Sequence, residues 1–280
     1  MKTPPMKTLG RVLRDILVWA VIGVFSFPLV WMLVTSVKPR DQTTSYPPAL
    51  LPDQFTLEHY VNLLFNTAFP RLFVNSLFVS GVSTLVAVLC ATAGAYGMTR
   101  YRFPGRSLMA RLVLFAYLLP AVVLLVPLYV VVAGMGLGDS LWGLVVTYIT
   151  FALPFALWLL RAFMAALPPD VEAAAAIDGA SRWAVFFEIV IPQALPGIMA
   201  TAVFTFIGAY NEYLYALVFV NADARMTLPP GVMRLVKESY NIDWNVMMAA
   251  AVVITAPVLV LFACVQRHFS QGFGAGSVKG

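Results

Sequence analysis

Six uninterrupted apolar runs, near residues 16–37, 73–98, 112–133, 141–160, 198–220 and 245–266, leave this chain few ways to fold. An α-helix rises about 1.5 Å per residue, so about 20 residues cross a hydrocarbon core of roughly 30 Å. Each run reaches that length. Lipid offers no partner to backbone N–H and C=O groups, so each run must close its hydrogen bonds within itself. A closed barrel would need short strands of alternating polarity, and these runs are continuous. The expected fold is therefore an all-α membrane protein with six transmembrane helices. Composition agrees: 61% of residues are apolar and 11% charged, against roughly 45–50% and 25% in soluble domains. The first run, Ile16–Val37, is longer than the roughly 7–15 apolar residues of a signal peptide and lacks a small-residue cleavage site, so it is expected to be retained.

An even number of spans places both termini on one side, and the basic residues choose which. Lys38, Arg40, Arg71, Arg225, Arg234 and Lys237 fall on one side, and the other twelve of the 18 lysines and arginines fall on the side of the termini. Four of those twelve, Arg100, Arg102, Arg106 and Arg111, crowd the loop after the second run. The positive-inside bias predicts that both termini are cytoplasmic. The organisation expected is a cytoplasmic segment 1–15, a six-helix domain 16–266 with a long cytoplasmic loop at 162–197, and a cytoplasmic tail 267–280. Two outer loops, about 38–72 and 221–244, are sizeable, and Leu57–Leu64 in the first has the look of a short helix. Gly134–Asp139 reads as a tight turn. The net charge of +5 is spread between spans and forms no basic face, which argues against nucleic acid. Cys90 and Cys264 sit in apolar runs without metal-ligand spacing and read as packing residues.

The loop at 162–197 is far longer than a connection requires. Asp170 follows Pro168-Pro169 and is expected to cap a short helix, with its acid favourable to the helix dipole. Alanines propagate that helix, and Gly179 can take the left-handed conformation that ends it. Ser181 can cap a second helix, Arg182–Val190, with Trp183, Phe186, Phe187 and Val190 as an aromatic base and Pro192 and Pro196 closing it. Such an elbow suits the groove of a partner protein, or lies on the membrane surface with no partner; the residues alone favour neither.

This segment resembles the signature loop of permeases in bacterial ATP-binding-cassette importers: Glu-Ala-Ala, three residues, Gly, nine residues, Ile, one residue, Leu-Pro. Here Gly179 is followed by Ile189, Val190, Ile191 and Pro192, with isoleucine for leucine, and Ile177-Asp178-Gly179-Ala180-Ser181 looks like the carbohydrate-permease version. The family's glutamate falls on Ala173, and Glu172 stands one residue early. Phe206–Phe219 resembles the fifth-span motif of carbohydrate permeases, with Tyr210 where tryptophan is usual, and the tail from Gln266 to Gly280 is similar to that of the shorter permease of maltose- and trehalose-type systems. The resemblance implies a type I importer permease in the bacterial inner membrane. Its implied partners are a second homologous permease, a dimer of ATPase subunits and an extracytoplasmic sugar-binding protein. Glu172, Ala173, Ala174, Ala175, Ala176, Ile177, Asp178, Gly179, Ala180 and Ser181 would form the coupling helix that seats in an ATPase. Gly276, Ser277, Val278, Lys279 and Gly280 would reach the ATPase from the tail. The implied cargo is a di- or oligosaccharide, with glycerol phosphate as the alternative.

Glu212 is the only acid well inside a span, about 15 residues and hence roughly 22 Å beyond Gly197. Thr201, Thr205, Gly208 and Glu212 make one polar or small stripe on a helix. With Asn211 they are candidates for lining a path or for meeting a partner helix; proton coupling is a third role for Glu212. An enzyme is disfavoured, since His59 and His268 lie outside the spans and no HExxH pattern occurs. An ion-coupled transporter would want more intramembrane carboxylates. No GxxxxGK[ST] phosphate loop is present, so ATP and magnesium are expected on a separate chain, with no cofactor here. If the coupling expectation is right, Gly179→Asp should leave the protein in the membrane yet abolish sugar uptake while ATP hydrolysis continues. Unchanged uptake by that variant would refute it.

Overall fold

The computed structural model describes residues 5–43, 45–46, 50–238 and 243–274. Among these there is no strand. The helices are α1 (Pro5–Ser36), α2 (Arg40–Thr43), α3 (Glu58–Phe65), α4 (Phe69–Arg100), α5 (Arg106–Leu118), α6 (Ala121–Gly134), α7 (Leu141–Ala166), α8 (Asp170–Ile177), α9 (Arg182–Tyr210, with a π turn at Val185–Val190), α10 (Leu214–Phe219), α11 (Leu228–Glu238) and α12 (Trp244–Gly274). Segments of α1, α4, α7, α9 and α12 are long and apolar enough to cross a membrane. The sixth candidate span is a bent pair, α5 and α6, meeting at 102°.

That bend departs from the straight third span expected at 112–133, and its cause is local. Pro120 lacks an N–H and pushes the residue before it out of the helical region; Leu119 and Pro120 are both extended, with ψ of 128° and 125°. The fifth span also differs. Pro192 and Pro196 were expected to close a helix at Val190, but α9 runs through both from Arg182 to Tyr210. The π turn at Val185–Val190 lies immediately before the first proline, where a change of hydrogen-bond register absorbs the missing donor. The helix then stops at Asn211, short of the expected 220. After residue 221, α11 was not foreseen, although Pro229 and Pro230 in its first turn are a standard entry to a helix.

The chain divides into two compact units, residues 1–70 with 239–256 and residues 71–238 with 257–280. In the first, the problem is the end of α1, whose last carbonyls have no helical donors. Asn245 Nδ2 answers it by donating to the carbonyls of Thr35 (3.1 Å) and Lys38 (2.8 Å) and to Thr43 Oγ1 (2.8 Å). His59 Nε2 lies 2.8 Å from the same Lys38 carbonyl, and Ser36 and Tyr60 share a hydroxyl hydrogen bond of 2.7 Å. Lys38 Nζ sits 4.6 Å from the Trp31 ring centre, a cation–π contact, and Arg40 pairs with Asp243.

The second unit has two apolar clusters. One joins Ala91, Ala95 and Met98 of α4 to Ala110 of α5, Ala156, Leu157, Leu160 and Met164 of α7 and Ala194 of α9. Its small side chains let backbones approach closely, as membrane helices need in the absence of a hydrophobic drive. Gly94 shows how closely: a Cβ there would stand 2.6 Å from Leu157. The other cluster gathers Val79, Val132, Leu144, Val145, Tyr148, Tyr215, Ala216, Phe219 and Val220. At this end, the connection between α6 and α7 is the expected tight turn, with Gly136 and Asp139 at positive φ. Asp139 Oδ1 accepts from the N–H of Asn221 and Ala222, which together with nearby Arg225 hold its carboxyl below the usual range. Asn75 Nδ2 donates to the carbonyls of Ala224 (3.1 Å) and Met226 (2.9 Å), and Ser76 Oγ accepts from Leu228 N at 2.7 Å. Asn75→Ala should therefore lower stability in detergent by about 1–3 kcal/mol, because it strands the Ala224 and Met226 carbonyls; thermal unfolding of the purified protein measures it.

Candidate functional site

The elbow at 167–181 is assembled by its termini. Pro168 holds Leu167 extended (ψ 131°), which ends α7. Pro169 then occupies the cap position of α8 and Asp170 is the first helical residue, so the expected cap by Asp170 is not made. Its acid still lies in the first turn with Glu172, where the helix dipole favours it. The far end closes as a Schellman motif: Gly179 N donates to Ala176 O (3.2 Å) and Ala180 N to Ala175 O (3.0 Å), with Gly179 at φ +85°. Ser181 caps α9, its Oγ accepting from Ala184 N at 3.1 Å, as expected.

The elbow presents Ala173, Ala174, Ala176, Ile177, Asp178, Gly179 and Ser181 to the exterior, while Ala175 and Ala180 are half-buried. Ile177 is 86% exposed and Trp183 72%, apolar side chains that the chain itself leaves uncovered. The aromatic base is split between two faces. Phe186 and Val190 are buried, with Phe186 4.8 Å from the Tyr96 ring, whereas Trp183 and Phe187 stack on each other outside. A Cβ on Gly179 would meet nothing within 4 Å. The chain itself leaves that space empty.

Glu172 is the exception on α8. Its Oε1 accepts from Arg100 Nε at 2.6 Å, and Tyr96 Oη donates to its Oε2 at 3.4 Å. Arg100 Nη2 also donates to the Leu167 carbonyl at 3.0 Å. Tyr96 was not singled out from the sequence, and Arg100 was read there only as one of the four arginines crowding the loop after the second run, not as a partner of the elbow.

The second candidate region lies where two helices break. A cavity of about 420 Å³ is bounded by Ala116, Tyr117, Leu119 and Ala121 around the α5–α6 bend, by Tyr148, Phe151 and Phe155 of α7, by Phe204, Thr205 and Gly208 of α9, and by Glu212 and Tyr215. It is mostly apolar with a few convergent polar groups, the usual character of a ligand or transport cavity. Glu212 stands between α9 and α10. Its Oε1 accepts from Tyr215 N (2.8 Å) and its Oε2 from Ala216 N (3.0 Å) and Tyr148 Oη (2.8 Å). It thus caps a helix that starts inside the apolar layer. Tyr215 Oη donates to the Ala121 carbonyl, joining one break to the other.

The stripe foreseen on α9 is divided by these contacts. Thr205, Gly208 and Glu212 line the cavity; Thr201 is fully buried, its hydroxyl donating to Gly197 O at 2.7 Å. Asn211 is exposed at the break and is not among the lining residues. Sequence reading missed Tyr148 and Tyr215 as partners of Glu212. Among the described residues no cluster of three or more His, Cys, Asp or Glu could hold a metal. The tail positions Gly276, Ser277, Val278, Lys279 and Gly280 lie outside the described residues.

Comparison with known proteins gives these features a setting. Residues 83–274 match the model of a family described as binding-protein-dependent transport system inner membrane component. The inner membrane ABC transporter permease protein YcjP of Escherichia coli is 38% identical over 256 residues, covering 91% of each chain. The trehalose transport system permease protein SugB of Mycobacterium tuberculosis is 33% identical, covering 93% of this chain and 94% of its own. The diacetylchitobiose uptake system permease protein NgcG of Streptomyces coelicolor is 32% identical, covering 94% and 87%. Among solved structures, a chain of a bacterial ABC transporter involved in import of the acidic polysaccharide alginate superposes with a TM-score of 0.78 at 20% identity, over 96% of this chain and 99% of that one.

The contacts of Glu212 are those of a helix cap, a role a glutamine fills in part. Glu212→Gln should therefore leave transport independent of pH and only modestly slower. Glu212→Ala should destabilise the protein by about 0.5–2 kcal/mol, the usual cost of a lost cap. Thermal unfolding together with uptake across a pH series tests both.

Proposed function

This chain belongs to the family of binding-protein-dependent transport system inner membrane components, and from that premise we propose that it imports sugars of di- or oligosaccharide size. It is an inner-membrane permease subunit of an ATP-binding-cassette transporter, a transporter subunit and not an enzyme. Trehalose and diacetylchitobiose in the names of its relatives support the sugar assignment over glycerol phosphate. The proposed assembly pairs it with a second homologous permease, two ATPase subunits that carry ATP and magnesium, and an extracytoplasmic binding protein. Both termini, the segment 1–15 and the tail 267–280 face the cytoplasm, with Gly276–Gly280 reaching the ATPase.

The observation that carries the reading is the elbow. Residues 172–181 form the coupling element, with Ile177 and the exposed alanines as its tip and the empty space at Gly179 as room for a partner's backbone. Closure of the ATPases moves this tip, and α9 takes the movement from Arg182 to Tyr210 at the edge of the cavity. The breaks at 119–120 and 211–213 are where the cavity wall bends between two accessible states. Within that wall Thr205, Gly208 and Glu212 line the path, and Thr201 and Asn211 support it from outside the cavity.

Purification of the tagged chain from its own membranes in mild detergent tests the assembly. A second permease and an ATPase should come with it, and the complex should hydrolyse ATP faster when its sugar-loaded binding protein is added. Recovery of this chain alone as a stable homo-oligomer would overturn the reading.

A further inference from the structure

We infer that Arg100 and Glu172 are positioning residues that tie the elbow to the second span, so that movement of α8 is passed to α4 as well as along the chain into α7 and α9. The inference rests on the permease reading above. Helix α8 has no buried residue of its own, so packing alone holds it weakly. Its charged anchor is Glu172, whose side chain is 14% exposed against an Arg100 side chain 16% exposed. The 2.6 Å contact between Arg100 Nε and Glu172 Oε1 is short even for a charge-assisted hydrogen bond. The same guanidinium holds the Leu167 carbonyl where α7 gives way to α8. One cation therefore grips the end of one span and the first turn of the elbow.

The position of the acid explains why it turns inward. Consecutive helical residues differ by about 100° around the axis. Ala173 is on the exposed face of α8, and Glu172, one residue earlier, is rotated toward α4. Arg100 in turn is the last residue of α4, where a cation also suits the helix dipole. Helix α4 runs 32 residues from Phe69, and near its other end Asn75 and Ser76 hold the 221–228 loop. A pull on Glu172 thus acts on the whole length of a span that is joined to the elbow in sequence only through α5, α6 and α7.

The test needs no knowledge of the sugar. In the complete complex in lipid nanodiscs, with Cys90 and Cys264 replaced by serine, spin labels are placed at Leu89 of α4 and Leu217 of α10. A reference pair is placed at Leu195 of α9 and Leu217. Distances are measured without nucleotide and with the ATPases trapped by ATP, magnesium and vanadate. Both pairs should shift on trapping. In Glu172→Gln and in Arg100→Gln the shift of the α4 pair should shrink while the α9 pair still moves. The conservative variant Arg100→Lys, which keeps a cation beside Glu172 at the end of α4, should retain the α4 shift.

An undiminished α4 shift in both single variants would overturn the inference. So would a wild-type complex in which only the α9 pair moves. Loss of the ATPase from the purified Glu172→Gln complex but not from the Arg100→Gln complex would overturn it too, by showing that the carboxylate touches the partner. Absence of any shift in either wild-type pair would instead sink the permease reading on which the inference rests.

Discussion

Within a bilayer no water is at hand for a backbone group that leaves a helix, and each unsatisfied one costs several kcal/mol. That constraint governs the whole transmembrane part of this protein. It makes the spans helical, and it decides what must surround each place where a span stops being helical. The two breaks, at Leu119-Pro120 and at Asn211–Tyr213, both border the same cavity. At the second break Glu212 takes the freed N–H groups of Tyr215 and Ala216, and the Tyr215 hydroxyl donates to the Ala121 carbonyl, which ties that break to the first. The acid deepest in the apolar layer is thus spent on the backbone, and Tyr148 fixes it in place.

The same economy of polar groups recurs outside the breaks. Asn245 gathers the carbonyls at the end of α1, and Asn75 those of the loop before α11. In each case one amide secures a reversal of the chain with donors that helices cannot supply. The elbow is built the other way. Its caps are local, and they leave the tip exposed, with nothing within 4 Å of a Cβ placed at Gly179. A segment satisfied in its backbone yet exposed at Ile177 and Trp183 is suited to a partner's surface. The Arg100–Glu172 pair then holds that segment to a span without covering the tip.

Much of this was legible in the residues because the causes are short-range. Six apolar runs required helices, Gly179 announced a left-handed closure, and Ser181 a cap; each depends on a few neighbours in sequence. Asp170 failed as a cap because Pro169, equally local, took the position first. The prolines misled in both directions. Pro192 and Pro196 were read as stops, yet a π turn leads α9 into Pro192 and the helix continues through Pro196, while the break at Pro120 inside an apolar run went unread. A proline removes one donor wherever it stands; whether the helix continues depends on what the surroundings offer the freed carbonyl.

The sequence by itself therefore determined that this chain lives in lipid, that it is helical, and that it carries a capped elbow between its fourth and fifth spans. Hydrophobic length and local capping are enough for those conclusions. Only the tertiary structure decided that Glu212 caps α10 against Tyr148 on α7, and that Glu172 turns from the tip to Arg100, 72 residues away. Those pairings are set by which helices lie side by side. Helix packing in a membrane rests on small-residue contacts such as Ala91, Ala95 and Ala156, and these leave no periodic mark that a single sequence can reveal.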